Sequence, residues 1–297
     1  MSGSKENLRV DGYDVAVSHP DKILFDDDAI TKRDLAEYYR AAGAAMLPHV
    51  RERPLAMHRF PEGINAEGFF QKRRPDHAPD WVGAVRVERE QGGAVTMVSC
   101  STTAVLVWLA NQAVITVHPW LSRNRALHRP DRLIIDIDPP EDDFARVRRA
   151  AGDVRAVLEE AGLLCYVMTT GSRGVHVVTP LRPERDFDDV RALSHELANR
   201  AAQRHPRSLT TEVRKNKRGD RVFLDTLRNA YAQHAVAPYS VRPLPGAPVA
   251  TPLTWEELDA TASARVWTVH TVGPRLAADP WRDMARHARS PARLAHH

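Results

Sequence analysis

Short apolar runs closed by proline, glycine or charge alternate with stretches whose apolar residues recur three and four positions apart. This pattern predicts strands interleaved with amphipathic helices. Strands are expected at Asp14–Val17, Ile23–Phe25, Leu55–Phe60, Val95–Ser99, Val114–His118, Cys165–Thr169, Val175–Thr179, Leu209–Val213 and Val222–Asp225. The first helix should begin at Thr31, capped with the help of Asp34, carry Leu35, Tyr38, Tyr39, Ala42, Met46 and Leu47 on one face, and end at Pro48. Thr102–Ala113 has helical periodicity, Asp143 can cap a helix ended by Gly162, and Asp186–His205 is amphipathic. Thr254 and Glu257 form a capping box for a short helix. Residues 1–10 read as a disordered lead, and the stretch past Val266 as an irregular basic tail.

One apolar run ends in chemistry. Leu133, Ile134, Ile135 and Ile137 read as a buried strand that delivers Asp136 and Asp138 and stops at Pro139 and Pro140, which cannot donate to a ladder. Side chains two apart share a face, so the acids point the same way with Cα atoms roughly 7 Å apart. Both staying ionised there requires either a hard divalent cation or water, so the motif alone reads as a metal site or as a solvated turn. Val222–Asp225 is a second apolar strand ending in a carboxylate, and acids from two strands can provide for two divalent ions.

Between these strands, Thr170-Gly171-Ser172-Arg173-Gly174 joins two apolar runs, with His176 following. Two glycines permit a concave nest of N–H groups, and the hydroxyl, guanidinium and imidazole suit a phosphate; a plain hairpin is the alternative. The spacing is neither a Walker A nor a dinucleotide fingerprint. His118 reads alone as a structural histidine or as a phosphate-binding one. Lys32 lies at a helix start, against the macrodipole, and is either merely solvated or helps hold an anion there.

Composition narrows the class. A net charge of +4 permits an anionic partner, and the basic residues cluster in Gln71–Arg74, Arg123–Arg132 and Arg214–Arg221. The first cluster follows Phe69 and Phe70, and rings beside cations suit single-stranded nucleic acid. Cys100 and Cys165 lie far apart, which argues against a disulfide framework or zinc site and suits a reducing compartment. The start lacks an apolar signal region and no apolar run is long enough to span a bilayer, so a cytoplasmic protein is expected, associated with the nucleoid if it binds DNA.

The words HPDKILF, ITKRDLAEYY, FFQKR, VHPW, LIIDIDPP, TTGSRGVHVVTPL, VFLD and APYSVRPLPGAPVATPLTWEEL, in this order, make the chain resemble the polymerase domain of bacterial DNA ligase D, of the archaeo-eukaryotic primase superfamily. The resemblance runs from about Asp14 to Val266. It implies an α+β primase-like fold with a central, mainly antiparallel sheet flanked by helices and an N-terminal α/β module. Residues 11–297 are then one catalytic domain, with an N-terminal module to about residue 120, a catalytic module from about 121 to 265 and the tail beyond. It further implies a template-directed nucleotidyltransferase that fills gaps and extends broken DNA ends with NTPs or dNTPs, using two divalent ions, Mn²⁺ or Mg²⁺. A metal-dependent nuclease and a non-catalytic DNA end-binding module are the alternatives.

Residue by residue, Asp136, Asp138 and Asp225 match the metal triad, and Ser172, Arg173, His176, Arg242 and His118 match positions at the nucleotide. Lys22 and Lys32 match the pair that grips a 5′-phosphate across a gap or break. Phe69 and Phe70 match rings that stack near the template turn, with Arg59 and Lys72 as backbone contacts beside them. Arg173 stands where many relatives have Lys, and Arg228 where relatives often carry Gln, so Arg228 is left out of the expected site. The sequence carries no ligase or nuclease module. The resemblance therefore implies either a stand-alone homologue or one domain of a longer protein, with DNA, Ku and a separate ATP-dependent ligase as partners and no membrane.

Overall fold

Alternation of inward and outward side chains folds the start of the chain into a hairpin. In β1 (Lys5–Val10) and β2 (Tyr13–Ser18), Leu8, Val10, Val15 and Val17 are buried while their neighbours face outward. β1 corrects the disordered lead expected over residues 1–10; polar Lys5, Glu6 and Asn7 hide the strand until its partner covers Leu8 and Val10. The computed structural model describes residues 4–89 and 91–291. The ends of the expected lead and tail, residues 1–3 and 292–297, lie outside the described residues. The chain divides into two compact units, Met1–Trp120 with Val236–Val249 and Trp267–Ala278, and Leu121–Ala235 with Ala250–Val266 and Asp279–His297.

In the first unit β3 (Ile23–Phe25) pairs with β4 (Ile30–Thr31), and Thr31 caps α1 (Lys32–Val50) through the expected capping box. α1 continues past Pro48 to Val50, because a proline in the last turn removes a single donor where the helix is already ending. β5 (Pro54–Arg59) is central, with β6 (Phe69–Gln71), β8 (Ala94–Ser99) and β9 (Val114–Pro119) pairing antiparallel to it and β7 (Gly83–Glu88) flanking β8. α2 (Thr103–Asn111) is buried from Thr103 to Ala110 and packs on α1. Gly43 makes that approach possible: a Cβ there would lie 2.2 Å from the Thr103 methyl. Residues 237–241 lie along β9, where Ala237 N–H donates to Val117, Val117 N–H to the Ser240 hydroxyl and the Thr116 hydroxyl to Val241.

The second unit is built on a six-stranded sheet. It comprises β10 (Arg132–Asp138), β11 (Tyr166–Thr169), β12 (Val175–Pro180), β13 (Leu209–Thr210), β14 (Val222–Asp225) and β15 (Pro252–Leu253), in the order β13-β14-β10-β12-β11-β15. Every pairing is antiparallel except β13 with β14, as expected for the α+β reading. α3 (Phe144–Glu160) and α4 (Phe187–Arg204), each capped by an aspartate, pack on the sheet and on each other. β13 is shorter than Leu209–Val213 because Thr211 turns out to bond Asn199 and Val213 is exposed. The basic loop contains a one-turn helix, α5 (Lys215–Arg218), whose Arg218 bonds the carbonyls of Glu212 and Val213. α6 (Trp255–Ala260) has the expected Thr254 cap.

The tail is more ordered than expected. Trp281 and Met284 are buried, and the Trp281 indole donates to Val167 at 3.2 Å. Isolated aromatic anchors of this kind leave no periodic pattern in a sequence. No helix among the described residues is long and apolar enough to cross a membrane.

Candidate active site

Strand register gathers the acids. Asp136 on β10 lies opposite Asp225 on β14 and, on its other side, opposite His176 on β12, while Asp138 lies opposite Phe223. Each of Asp136, Asp138 and Asp225 offers an oxygen, and these three oxygens fall within 4.8 Å of one another. Asp136 is 6% exposed and Asp225 8%. Burial first, then the charges of Asp136 and Asp225, pushes the Asp138 carboxyl up to about 6. Burial also raises the Asp225 carboxyl, opposed by a bond from Leu227 N–H. Desolvated, mutually repelling carboxylates with an all-oxygen donor set suit a hard divalent cation, so the residues present fit the metal that the sequence motif suggested.

Two further groups border the cluster. His176, 3% exposed, has Nε2 3.4 Å from Asp136 Oδ1, and its Nδ1 is buried without a partner. Arg228, which the sequence reading set aside, has Nε 3.6 Å from Asp136 Oδ2. The sequence marked it only by its position three residues after Asp225 and by the Gln that relatives often carry there.

The glycine turn is held against the same strand. Gly171 has φ +65°, and a Cβ on Gly174 would lie 2.0 Å from the Ile137 carbonyl oxygen. Only glycine allows the turn this close to the acids. The Thr170 hydroxyl closes the turn by donating to the Gly174 carbonyl at 3.0 Å, and the Arg265 guanidinium donates to the Ser172 carbonyl at 2.8 Å. Ser172 is half-buried, Arg173 exposed.

The first unit carries the other expected site residues. Lys32 is buried and donates to the Ser18 carbonyl at 2.8 Å, its amine held below the usual lysine range by burial and then by Lys22 and Arg59. Lys22 pairs with exposed Glu62 at 2.7 Å. Phe69 and Phe70 are half exposed, at 47% and 49%. Arg59 lies over the Phe69 ring and bonds the Gln112 carbonyl and the Gln71 side chain, and Lys72 is exposed. Phe70 meets His118 edge-on at 5.2 Å and stacks on His58, a residue the sequence gave no reason to single out. Arg242 is held by its N–H, which donates to the Pro248 carbonyl at 2.7 Å.

A mainly antiparallel sheet thus lines up three acids on two neighbouring strands, beside a glycine-bracketed turn, in an α+β protein. The family model described as LigD, primase-polymerase domain, matches residues 31–281, and the chain belongs to that family. It is 31% identical over 258 residues to the bifunctional non-homologous end joining protein LigD of Bacillus subtilis, covering 86% of this chain and 41% of that protein. It is likewise 31% identical over 279 residues to the multifunctional non-homologous end joining protein LigD of Pseudomonas aeruginosa, covering 91% and 33%. The chain thus spans about a third to two fifths of the length of these curated relatives. Among solved structures, the polymerase domain from Mycobacterium tuberculosis ligase D in complex with DNA matches with a TM-score of 0.85 and 31% identity, over 92% of this chain and 99% of that one.

Proposed function

We propose that the chain is a template-directed nucleotidyltransferase that fills gaps and extends broken DNA ends with NTPs or dNTPs in double-strand-break or excision repair. The observation that carries the reading is the triad of buried Asp136 and Asp225 and half-buried Asp138, with the Gly171–Gly174 turn pressed against its strand. Membership of the LigD primase-polymerase family and likeness to a polymerase domain solved with DNA support it. The relatives are named as end-joining proteins, which favours Ku and an ATP-dependent ligase activity as partners.

In this reading Asp136, Asp138 and Asp225 would hold two divalent ions, Mn²⁺ or Mg²⁺, which when bound would supply acidity to the primer 3′-hydroxyl and offset charge on the reacting phosphate. Asp136 lies opposite Asp225 in the ladder, so each would supply a carboxylate to the same ions, and His176 Nε2 lies 3.4 Å from Asp136. Ser172, Arg173 and His176 contact the triphosphate, from a turn that packs closely on β10 because Gly174 has no side chain. His118 and Arg242, both in the first unit, are nucleotide-binding residues on the strength of the family resemblance alone. Lys22 and Lys32 receive the downstream 5′-phosphate, and Phe69, Phe70, Arg59 and Lys72 receive the template.

The test is a 5′-phosphorylated gapped duplex incubated with Mn²⁺ and single NTPs or dNTPs. Template-matched extension that disappears in Asp138→Ala is expected. Primer shortening would replace the reading with a nuclease, and unchanged length despite tight binding with a non-catalytic end-binding module.

A further inference from the structure

After Asp225 the chain makes a tight 3-10 turn, Leu227–Asn229, and the turn is fastened to β10. Asn229 is fully buried. Its amide donates to the Ile134 carbonyl at 2.7 Å and its oxygen accepts from the Ile134 N–H at 2.9 Å. A further bond from the same amide reaches the Thr226 carbonyl at 2.9 Å. The side chain therefore stands in for a strand residue where β14 has ended, two positions before Asp136. Asp225 closes the turn from the other side by accepting from Leu227 N–H at 2.7 Å. Clamped at both ends, the turn holds the Arg228 guanidinium 3.6 Å from Asp136 Oδ2, with 40% of its side chain exposed.

We propose that Arg228 is a resident counter-ion of the carboxylate cluster and sets how tightly the site holds a divalent cation. The proposal rests on the metal reading of Asp136, Asp138 and Asp225. A guanidinium keeps its charge at any ordinary pH, so it withdraws from Asp136 only by moving. With Arg228 in place the triad presents less negative charge to an arriving cation, and the cation repels a positive group held a few ångströms away. Partial exposure gives the guanidinium somewhere to go: its planar fork turns to water while the Asn229 clamp keeps its backbone in place. The cluster is thus neutralised in part when metal-free, and weaker toward metal than its three acids alone would be.

The test is a Mn²⁺ titration of the full chain, followed by electron paramagnetic resonance of the free ion, with thermal melts as a check on folding. Arg228→Gln is expected to tighten Mn²⁺ binding by about fivefold, since it removes a partly exposed charge next to a buried carboxylate. Arg228→Lys, which keeps the charge, is expected to stay within about threefold of the wild type by the same argument. A folded Arg228→Gln chain that binds Mn²⁺ no more tightly than the wild type overturns the proposal while leaving the metal reading intact. If Asp138→Ala leaves wild-type Mn²⁺ binding unchanged, the metal reading fails and the proposal falls with it.

Discussion

His58 and Phe70 face each other across the ladder between β5 and β6, their rings stacked with centroids 4.3 Å apart and planes 5° from parallel. The next pair in the register, Arg59 opposite Phe69, repeats the arrangement with a guanidinium 5.5 Å from the ring centroid. Successive residues of a strand point to opposite faces, so the two adjacent phenylalanines do not form one stacking surface. Each ring presents a separate surface, packed by the residue across from it.

Phe69→Ala and Phe70→Ala should therefore affect different template bases. With 2-aminopurine placed at successive template positions, each variant is expected to lose quenching at its own position. Each should also weaken template binding by about 1–3 kcal/mol, the worth of one stacked base. His58→Ala should reproduce part of the Phe70 loss and His58→Phe should restore it. Equal effects of both phenylalanine variants at one base would contradict the two-platform geometry.

The lysines should divide unequally. Lys22 is partly neutralised by Glu62 at 2.7 Å, whereas Lys32 is buried with its amine lowered by burial, Lys22 and Arg59. Fluorescence anisotropy on gaps ending in 5′-phosphate or 5′-hydroxyl should show that Lys32→Ala abolishes most of the preference for phosphate. Glu62→Gln should enhance the preference a few-fold, a change typical of one exposed ion pair. The preference should also fade with rising pH sooner than an ordinary lysine, with its pKa of 10.5, would allow, because a lowered amine loses its proton earlier. A preference constant up to that pH would place the phosphate elsewhere.

The strands that carry the acids were legible because each packs its information into adjacent residues. Asp136 and Asp138 share a face by simple alternation, and prolines mark where β10 stops. What the sequence did not reveal depends on partners far away in the chain. β1 is a strand because β2 pairs with it, and Asn229 matters because Ile134 leaves a ladder position for it. His58 was missed for the same reason, being defined by a cross-strand ring, and Arg228 was set aside because relatives often carry Gln there, its place being fixed by a carboxylate on another strand. Trp281 anchors the tail through a carbonyl of β11, a contact no local pattern encodes.

Two glycines should respond oppositely to alanine. A Cβ on Gly174 would meet the Ile137 carbonyl oxygen at 2.0 Å, whereas one on Gly152, within α3, meets nothing within 4 Å. Gly174→Ala should cost about 2–4 kcal/mol in chemical denaturation, as backbone must shift beside the acids. Gly152→Ala should stabilise by about 0.5–1 kcal/mol through helix propensity. A neutral Gly174→Ala would mean the turn does not press on β10.

Asp138 gives the metal-free protein a distinctive pH dependence. Its carboxyl is raised from an ordinary 3.8 to about 6, by burial and then by Asp136 and Asp225. Between those two values the folded state binds the proton that the unfolded chain has released, so stability rises as pH falls through this window. Above it, the folded state bears a desolvated charge at a cost of about 2–3 kcal/mol. Asp225, raised for the same first reason, adds in the same direction. Melts of the metal-free chain should therefore show a higher Tm at pH 5 than at pH 7.5, and Asp138→Asn should flatten the slope. Mn²⁺ should raise the Tm at pH 7.5 and much less at pH 5, where protons compete for the same oxygens. A wild-type slope equal to that of Asp138→Asn would show that Asp138 is solvated and not desolvated beside its partners.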